Sequence, residues 1–240
     1  MEKINQTKSL LFLPGILLAV YFCAGILFEP VLVVYIKPFI IPSFMIYAIK
    51  SNSQKLSKYY LLFVFFFYLN EALLLLWEHS LQLYRAALIA SFCGYFTLAF
   101  LGYKSIKNAD VQTIPSGYTL FILALNCVFL FAIIYLLASV ITDDYINIII
   151  IFNAISTIVL GATAVLYLGK FGDSKAYYYF FGAFALIFND VFAAIGTYFV
   201  GNIFLNTLDR VLHFACFYLI FLFVITKRKK EDKTIVITQI

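Results

Sequence analysis

Apolar residues run through this chain in blocks of about twenty, parted by short polar breaks from one end to the other. The blocks predict eight helical spans, at 9–28, 31–49, 59–77, 83–102, 118–141, 145–168, 176–198 and 204–225. Each approaches the ~20 residues that a helix needs to cross a bilayer. The predicted fold is an all-α, polytopic transmembrane helical bundle, with 1–240 as a single integral membrane domain. The first span is too long for a signal peptide and lacks a small-residue cleavage site, so we expect it to stay in the chain.

Composition agrees with the pattern. Of 240 residues 64% are hydrophobic and 12% charged, with a mean hydropathy of +0.99. A soluble domain carries about a quarter charged residues, so a soluble fold is excluded. Where the charges lie is more informative than the net +5. Eight spans put both termini on one side. Lys3, Lys8, Lys50, Lys55, Lys58, Lys104, Lys107, Lys170, Lys175 and five basic residues of the tail 227–240 then share that side. They make up 14 of the 17 basic residues. The positive-inside rule places both termini in the cytoplasm. The tail reads as a topology anchor, and no nucleic-acid partner is expected.

A faint repeat crosses the chain. "YLNEALLL" in span three and "IFNDVFAA" in span seven each set Asn before a carboxylate, 119 residues apart. Arg85 and Arg210 stand early in the spans that follow. The two copies suggest a 4+4 arrangement about an axis along the membrane normal.

Four ionisable residues sit where an apolar span should not hold them: Lys37, Glu71, Asp190 and His213. Such groups usually face the bundle interior and pair with one another. Lys37 and Glu71 each lie six residues from the outer ends of their spans, about 9 Å in depth. Asp190 and His213 lie eight and nine residues in, roughly 12–14 Å. One level of the bundle can therefore hold all four. Lys37 falls in "VVYIKPFIIP", where Pro38 and Pro42 deprive the carbonyls of Val34 and Pro38 of helical partners. Freed carbonyls in a membrane need substitutes or a wet cavity.

One lysine facing two carboxylates leaves one ionised and favours a proton on the other, because burial and like-charge repulsion act together. A carboxylic acid beside a carboxylate suits general acid/base chemistry. The same residues would also suit a structural ion pair joining spans two, three and seven, or a Lys37 that snorkels to the interface. The face of Asp190 carries Ala183, Ala193, Ala194 and Thr197, which allow close helix packing or leave room for a ligand. Asn70, Asn189 and His213 are the candidate substrate-binding side chains. Trp77, Glu78 and His79 read as an interfacial belt, and Tyr177, Tyr178 and Tyr179 as interfacial aromatics. Asn126 and Asn153 read as interhelical hydrogen-bond formers. Cys23, Cys93, Cys127 and Cys216 read as small core hydrophobes without disulfide or metal spacing. No cofactor or metal is expected, since no phosphate loop, HExxH or GxSxG stands in the chain.

The Lys-Pro of span two, the polar–carboxylate pair of span three and "GAFALIFND" in span seven resemble the YhhN family of eight-span membrane proteins, which includes the lysoplasmalogenases. That family shows Lys-Pro, then Gly-Asp, then Gly-Ala-x-x-Phe-x-x-Ser-Asp. Lys37, Pro38, Gly182, Ala183 and Asp190 fall at matching positions. Asn70-Glu71 replaces Gly-Asp, Asn189-Asp190 replaces Ser-Asp, and the motif's Phe is displaced to Phe184 and Phe188. The family's His in span four has no counterpart, with Ser91 or Cys93 in its place, and its last-span Gln is absent near Cys216.

The resemblance implies a divergent member that hydrolyses the vinyl-ether bond of a lysoplasmalogen. Asp190 and Glu71 would divide the acid and base roles, with Lys37 holding the ionised one. The implied partners are a lysophospholipid substrate and membrane lipids, with the oligomeric state open. The implied location is a bacterial cytoplasmic membrane, and the Lys-, Ile-, Asn- and Phe-rich usage fits an AT-rich bacterium. A secondary transporter or a non-catalytic lipid-binding protein would show much the same features.

Overall fold

The turn "KFGDSKA" shows how the chain is punctuated. Gly172 adopts φ 59°, a left-handed conformation that a Cβ would strain, and its N–H returns to the Leu168 carbonyl at 2.9 Å. Asp173 then caps the next helix, its Oδ1 accepting the Ala176 N–H at 2.7 Å. Asp143 caps the preceding helix in the same way, Oδ1 accepting the Ile146 N–H at 3.0 Å.

The structure is a computed structural model and describes residues 15–17, 19–21, 23, 30–51, 56–76, 80–107, 117–199 and 203–226. Its elements are α1 (Pro30–Ser51), α2 (Lys58–Leu74), α3 (Leu81–Lys107), α4 (Gly117–Val140), α5 (Asp144–Phe171), α6 (Ser174–Tyr198) and α7 (Ile203–Ile225). No strand occurs among the described residues. Among the described residues four stretches are long and apolar enough to cross a membrane: α3, α5, Ser174–Gly196 of α6 and Thr207–Ile225 of α7. The apolar stretches Tyr35–Ile46 of α1 and Leu130–Val140 of α4 are shorter. The fold is therefore all-α, and its apolar helices mark a membrane protein. Most of span 9–28, Trp77, Glu78, His79 and the tail 227–240 lie outside the described residues, as do the side chains of Asn126 and Thr197.

Helix neighbours form a ring. α1 packs on α2, α2 on α3, α3 on α5, α5 on α6, α6 on α7, and α7 returns to α1. α4 lies on α5 with a smaller contact to α6. Its Phe121, Phe131 and Tyr135 are largely exposed, as lipid-facing side chains would be. α1 continues through Pro38 and Pro42, so the prolines do not end the helix.

Between membrane helices the hydrophobic effect gives little, since lipid is as apolar as Leu. Close packing and buried polar bridges hold this interior instead. Phe63, Phe67 and Phe217 stack at 5.0–5.8 Å between centroids, joining α2 to α7 across the ring. At the other end Tyr167, Tyr179 and Phe223 meet at 4.8–5.5 Å. Gly94 admits the Phe67 ring so closely that an added Cβ would lie 2.5 Å from its Cε2.

Two expectations change and one holds. Tyr179 is no interfacial residue: it is fully buried and its hydroxyl donates to the Leu98 carbonyl at 3.0 Å, tying α6 to α3. Only Cys216 is a buried cysteine, while Cys23 is exposed and Cys93 and Cys127 lie half-buried. Asn153 does bridge helices, its Nδ2 donating to Leu88 O at 2.9 Å.

Candidate functional site

Lys37 is placed by α1 one residue before the buried Pro38. Its Nζ lies 3.6 Å from Glu71 Oε1 in the last turn of α2. The Lys37 side chain keeps 19% of its surface and that of Glu71 only 7%, so the pair is buried from the Glu71 side. His213 of α7 brings Nδ1 to 3.9 Å from the same oxygen. Its ring meets Phe217 edge-on at 5.1 Å. Three helices therefore converge on one carboxylate oxygen.

The second carboxylate is held by neutral groups. The Tyr95 hydroxyl of α3 donates to Asp190 Oδ2, and Asn189 Nδ2 donates to Asp190 Oδ1 at 3.4 Å. Tyr95 is fully buried beside Phe67, with ring centroids 5.3 Å apart. The two acids are linked through charge rather than contact. Beyond its contact with Glu71, Lys37 lies within electrostatic reach of Asp209, Tyr21 and Asp190. The four charged or titratable side chains read from the sequence, Lys37, Glu71, Asp190 and His213, are thus neighbours in the ring interior.

Compared with protein-family models, curated proteins and solved structures, the chain matches none.

Two members of the cluster were not read from the sequence. Tyr95 stands in "IASFCGYF", the stretch from which Ser91 or Cys93 was expected to contribute. It was one of 18 tyrosines with nothing to single it out except the adjacent Gly94. Asp209, near the start of the last span, was not among the candidates; it belongs to α7, four residues before His213 and so on the same helix face. Counting it gives one lysine against three carboxylates.

The polar lining is incompletely satisfied. Asn189 Oδ1, His213 Nε2 and Asp209 Oδ1 are buried without a hydrogen-bond partner among the described residues. Since buried polar atoms are nearly always paired, these three atoms keep hydrogen-bonding capacity that the described side chains do not use. Asn70 is buried beside Glu71. Gly182 and Ala183 have a packing role: both are buried, and a Cβ on Gly182 would lie 2.9 Å from Ile220 Cγ1.

At the helix ends the electrostatics are simpler. Arg85 donates to Asp143 Oδ2 at 2.6 Å, fastening α3 to the start of α5. The Ile146 N–H, followed by the Arg85 guanidinium, holds the Asp143 carboxyl below the usual carboxylate range.

Proposed function

We propose that the protein is a membrane-embedded hydrolase of lysoplasmalogen-type ether lysolipids. The observation that carries this reading is the pair of unequal carboxylates: Glu71 against Lys37, and Asp190 against the neutral donors Tyr95 and Asn189. The cation beside Glu71 favours its ionised form, leaving Asp190 as the acid. Asp190 would deliver its proton to the vinyl carbon remote from the ether oxygen, generating an oxocarbenium ion. Glu71 would take a proton from water as that water adds to the oxocarbenium carbon. The resulting hemiacetal collapses to a fatty aldehyde and the glycerophospho-alcohol. The division of labour parallels glycoside hydrolysis by analogy. Asn70, Asn189 and His213 would line the substrate's polar portion.

The finer architecture belongs to the same reading. Helices α1 to α7 lie over the second to eighth predicted spans, which supports eight crossings; the clustering of basic residues at one end supports termini in the cytoplasm. The ring also supports a 4+4 repeat. Exchanging α1 with α5, α2 with α6 and α3 with α7 maps its neighbour list onto itself. Each carboxylate is met from the opposite half, Glu71 by His213 and Asp190 by Tyr95.

Purified protein in detergent should release aldehyde from lysoplasmenyl-ethanolamine. Asp190→Asn, nearly isosteric and still able to pair with Tyr95, should lower the rate at least ~100-fold, the usual scale of a general acid, while the melting temperature holds. An absence of turnover on vinyl-ether, alkyl-ether and ester lysolipids would overturn the reading.

A further inference from the structure

The membrane-facing seam between α3 and α5 holds a cavity of about 130 Å³, lined by Phe96, Ala99, Phe100, Tyr103, Val159 and Thr163. Pockets for whole drug-sized ligands run to roughly 300–1,000 Å³, so this one takes only a segment of a slender molecule. Its walls are apolar, and the Thr163 hydroxyl is already donated to Val159 O at 2.7 Å. Phe96, Phe100, Tyr103 and Val159 are exposed, which opens the cavity sideways to the surrounding lipid.

Charge at one end of the seam selects the occupant. Phe96, Phe100, Tyr103 and Lys107 recur at helical spacing along one face of α3. Val159, Thr163 and Lys170 do the same on α5. The two helices run parallel, Arg85 meeting Asp143 where they begin and Lys170 Nζ donating to Ile106 O at 3.1 Å where they end. Lys107 and Lys170 thus flank one mouth of the groove. Lys107 stands one turn beyond Tyr103, about 6 Å. Lys104 adds a third cation, its Nζ 5.0 Å from the Tyr59 ring centre. At this end the sole described carboxylate is Asp173, which caps α6.

We infer that the α3–α5 seam is a binding site for a phospholipid with a net negative headgroup, one acyl chain lying in the apolar groove and the phosphate over Lys104 and Lys107. This site is separate from the carboxylate cluster and stands whether or not the chain is a hydrolase. Lys170 already bonds α3, so its part is to hold the two helix ends together beneath the headgroup.

Native mass spectrometry of the purified protein, titrated with phosphatidylglycerol or phosphatidylcholine, tests the site. Phosphatidylglycerol should bind the more tightly. Lys104→Gln and Lys107→Gln should each weaken its binding about fivefold and together about 25-fold. Val159→Trp, an exposed position whose change fills the groove without touching the bundle core, should weaken both lipids. Lys58→Gln, an exposed lysine on α2 at the same end, should leave binding within about twofold. Equal binding of the two lipids, or wild-type affinity in the double variant, would overturn the inference. So would a loss in Lys58→Gln matching that in Lys107→Gln, which would mean a general surface field and no site.

Discussion

Removing Lys37 and removing Glu71 should not be symmetric, although the two form one ion pair. Lys37→Met leaves Glu71, with 7% of its side chain exposed, without a cation, and it also strips the compensating charge from Asp209. Breaking a buried pair by deleting one partner costs about 3–5 kcal/mol. The 3.6 Å separation and the partly exposed lysine put this pair near the low end, so we expect about 3 kcal/mol. Glu71→Gln keeps the shape and leaves Lys37 facing Asp209, so its cost should be about 1 kcal/mol, the scale of one net hydrogen bond. The double variant removes the stranded Glu71 charge and should cost about 2 kcal/mol, giving a coupling near 2 kcal/mol, within the range for residues in contact. Reversible unfolding in mixed micelles, titrated with SDS, would measure all three. A Lys37→Met cost no larger than that of Glu71→Gln, or a coupling below about 0.5 kcal/mol, would refute the argument that Lys37 neutralises several acids at once.

Three further outcomes follow from single contacts. Gly94→Ala should destabilise by about 1–3 kcal/mol through overpacking, because the added Cβ meets the Phe67 ring, a rigid aromatic wedged against Tyr95 and Phe217; wild-type stability would mean that α2 and α3 can separate freely. Tyr95→Phe should preserve the fold while shifting the alkaline limb of the aldehyde-release pH profile, where the acid Asp190 loses its proton, since it removes a hydrogen bond to Asp190 and leaves the ring in place; an unchanged profile would show that Tyr95 only packs. Asp143→Asn should lower the melting temperature at neutral pH. A carboxyl held below its ordinary value stabilises the fold above the unfolded pKa of about 3.9 and loses that effect as pH falls through the folded-state value. The gap between wild type and variant should therefore close in acid, and a gap that widened there would refute the assignment.

The helices were legible because membrane spans are written as uninterrupted apolar blocks, while the caps at Asp143 and Asp173 and the turn at Gly172 came only with the structure. The convergence of Lys37, Glu71, Asp190 and His213 was legible for another reason: each is costly in lipid, so depth alone predicted company. Tyr95 carries no such cost. A tyrosine is as much at home on the lipid face as inside, and only the fold shows that this hydroxyl reaches Asp190. Asp209 was hidden by position, since a charge near a helix end reads as a loop residue until the face it shares with His213 is known. Tyr179 was misread on the same ground, as one of three tyrosines at a helix start, where the structure turns one inward and leaves Tyr177 exposed.

The same contacts bear on the rival reading of a carrier. Alternating access requires one half of the molecule to rock against the other around the binding site. Here the halves are tied at every level. Arg85–Asp143 and the Tyr84–Tyr198 hydroxyl contact at 2.9 Å join them at one end. Tyr95–Asp190 and the Phe63–Phe67–Phe217 stack join them at mid-depth. Tyr179 to Leu98 O and Lys170 to Ile106 O join them at the other end. A rocking motion would have to break hydrogen bonds at both ends together, while a hydrolase whose lipid enters sideways needs none of them to move. Cross-linking makes the difference measurable. A reducible bis-maleimide cross-link between cysteines introduced at Tyr84 and Tyr198, long enough to replace the two ring lengths, should leave aldehyde release intact if the bundle works as a rigid hydrolase, and its abolition, restored by reducing agent, would favour the moving halves of a carrier.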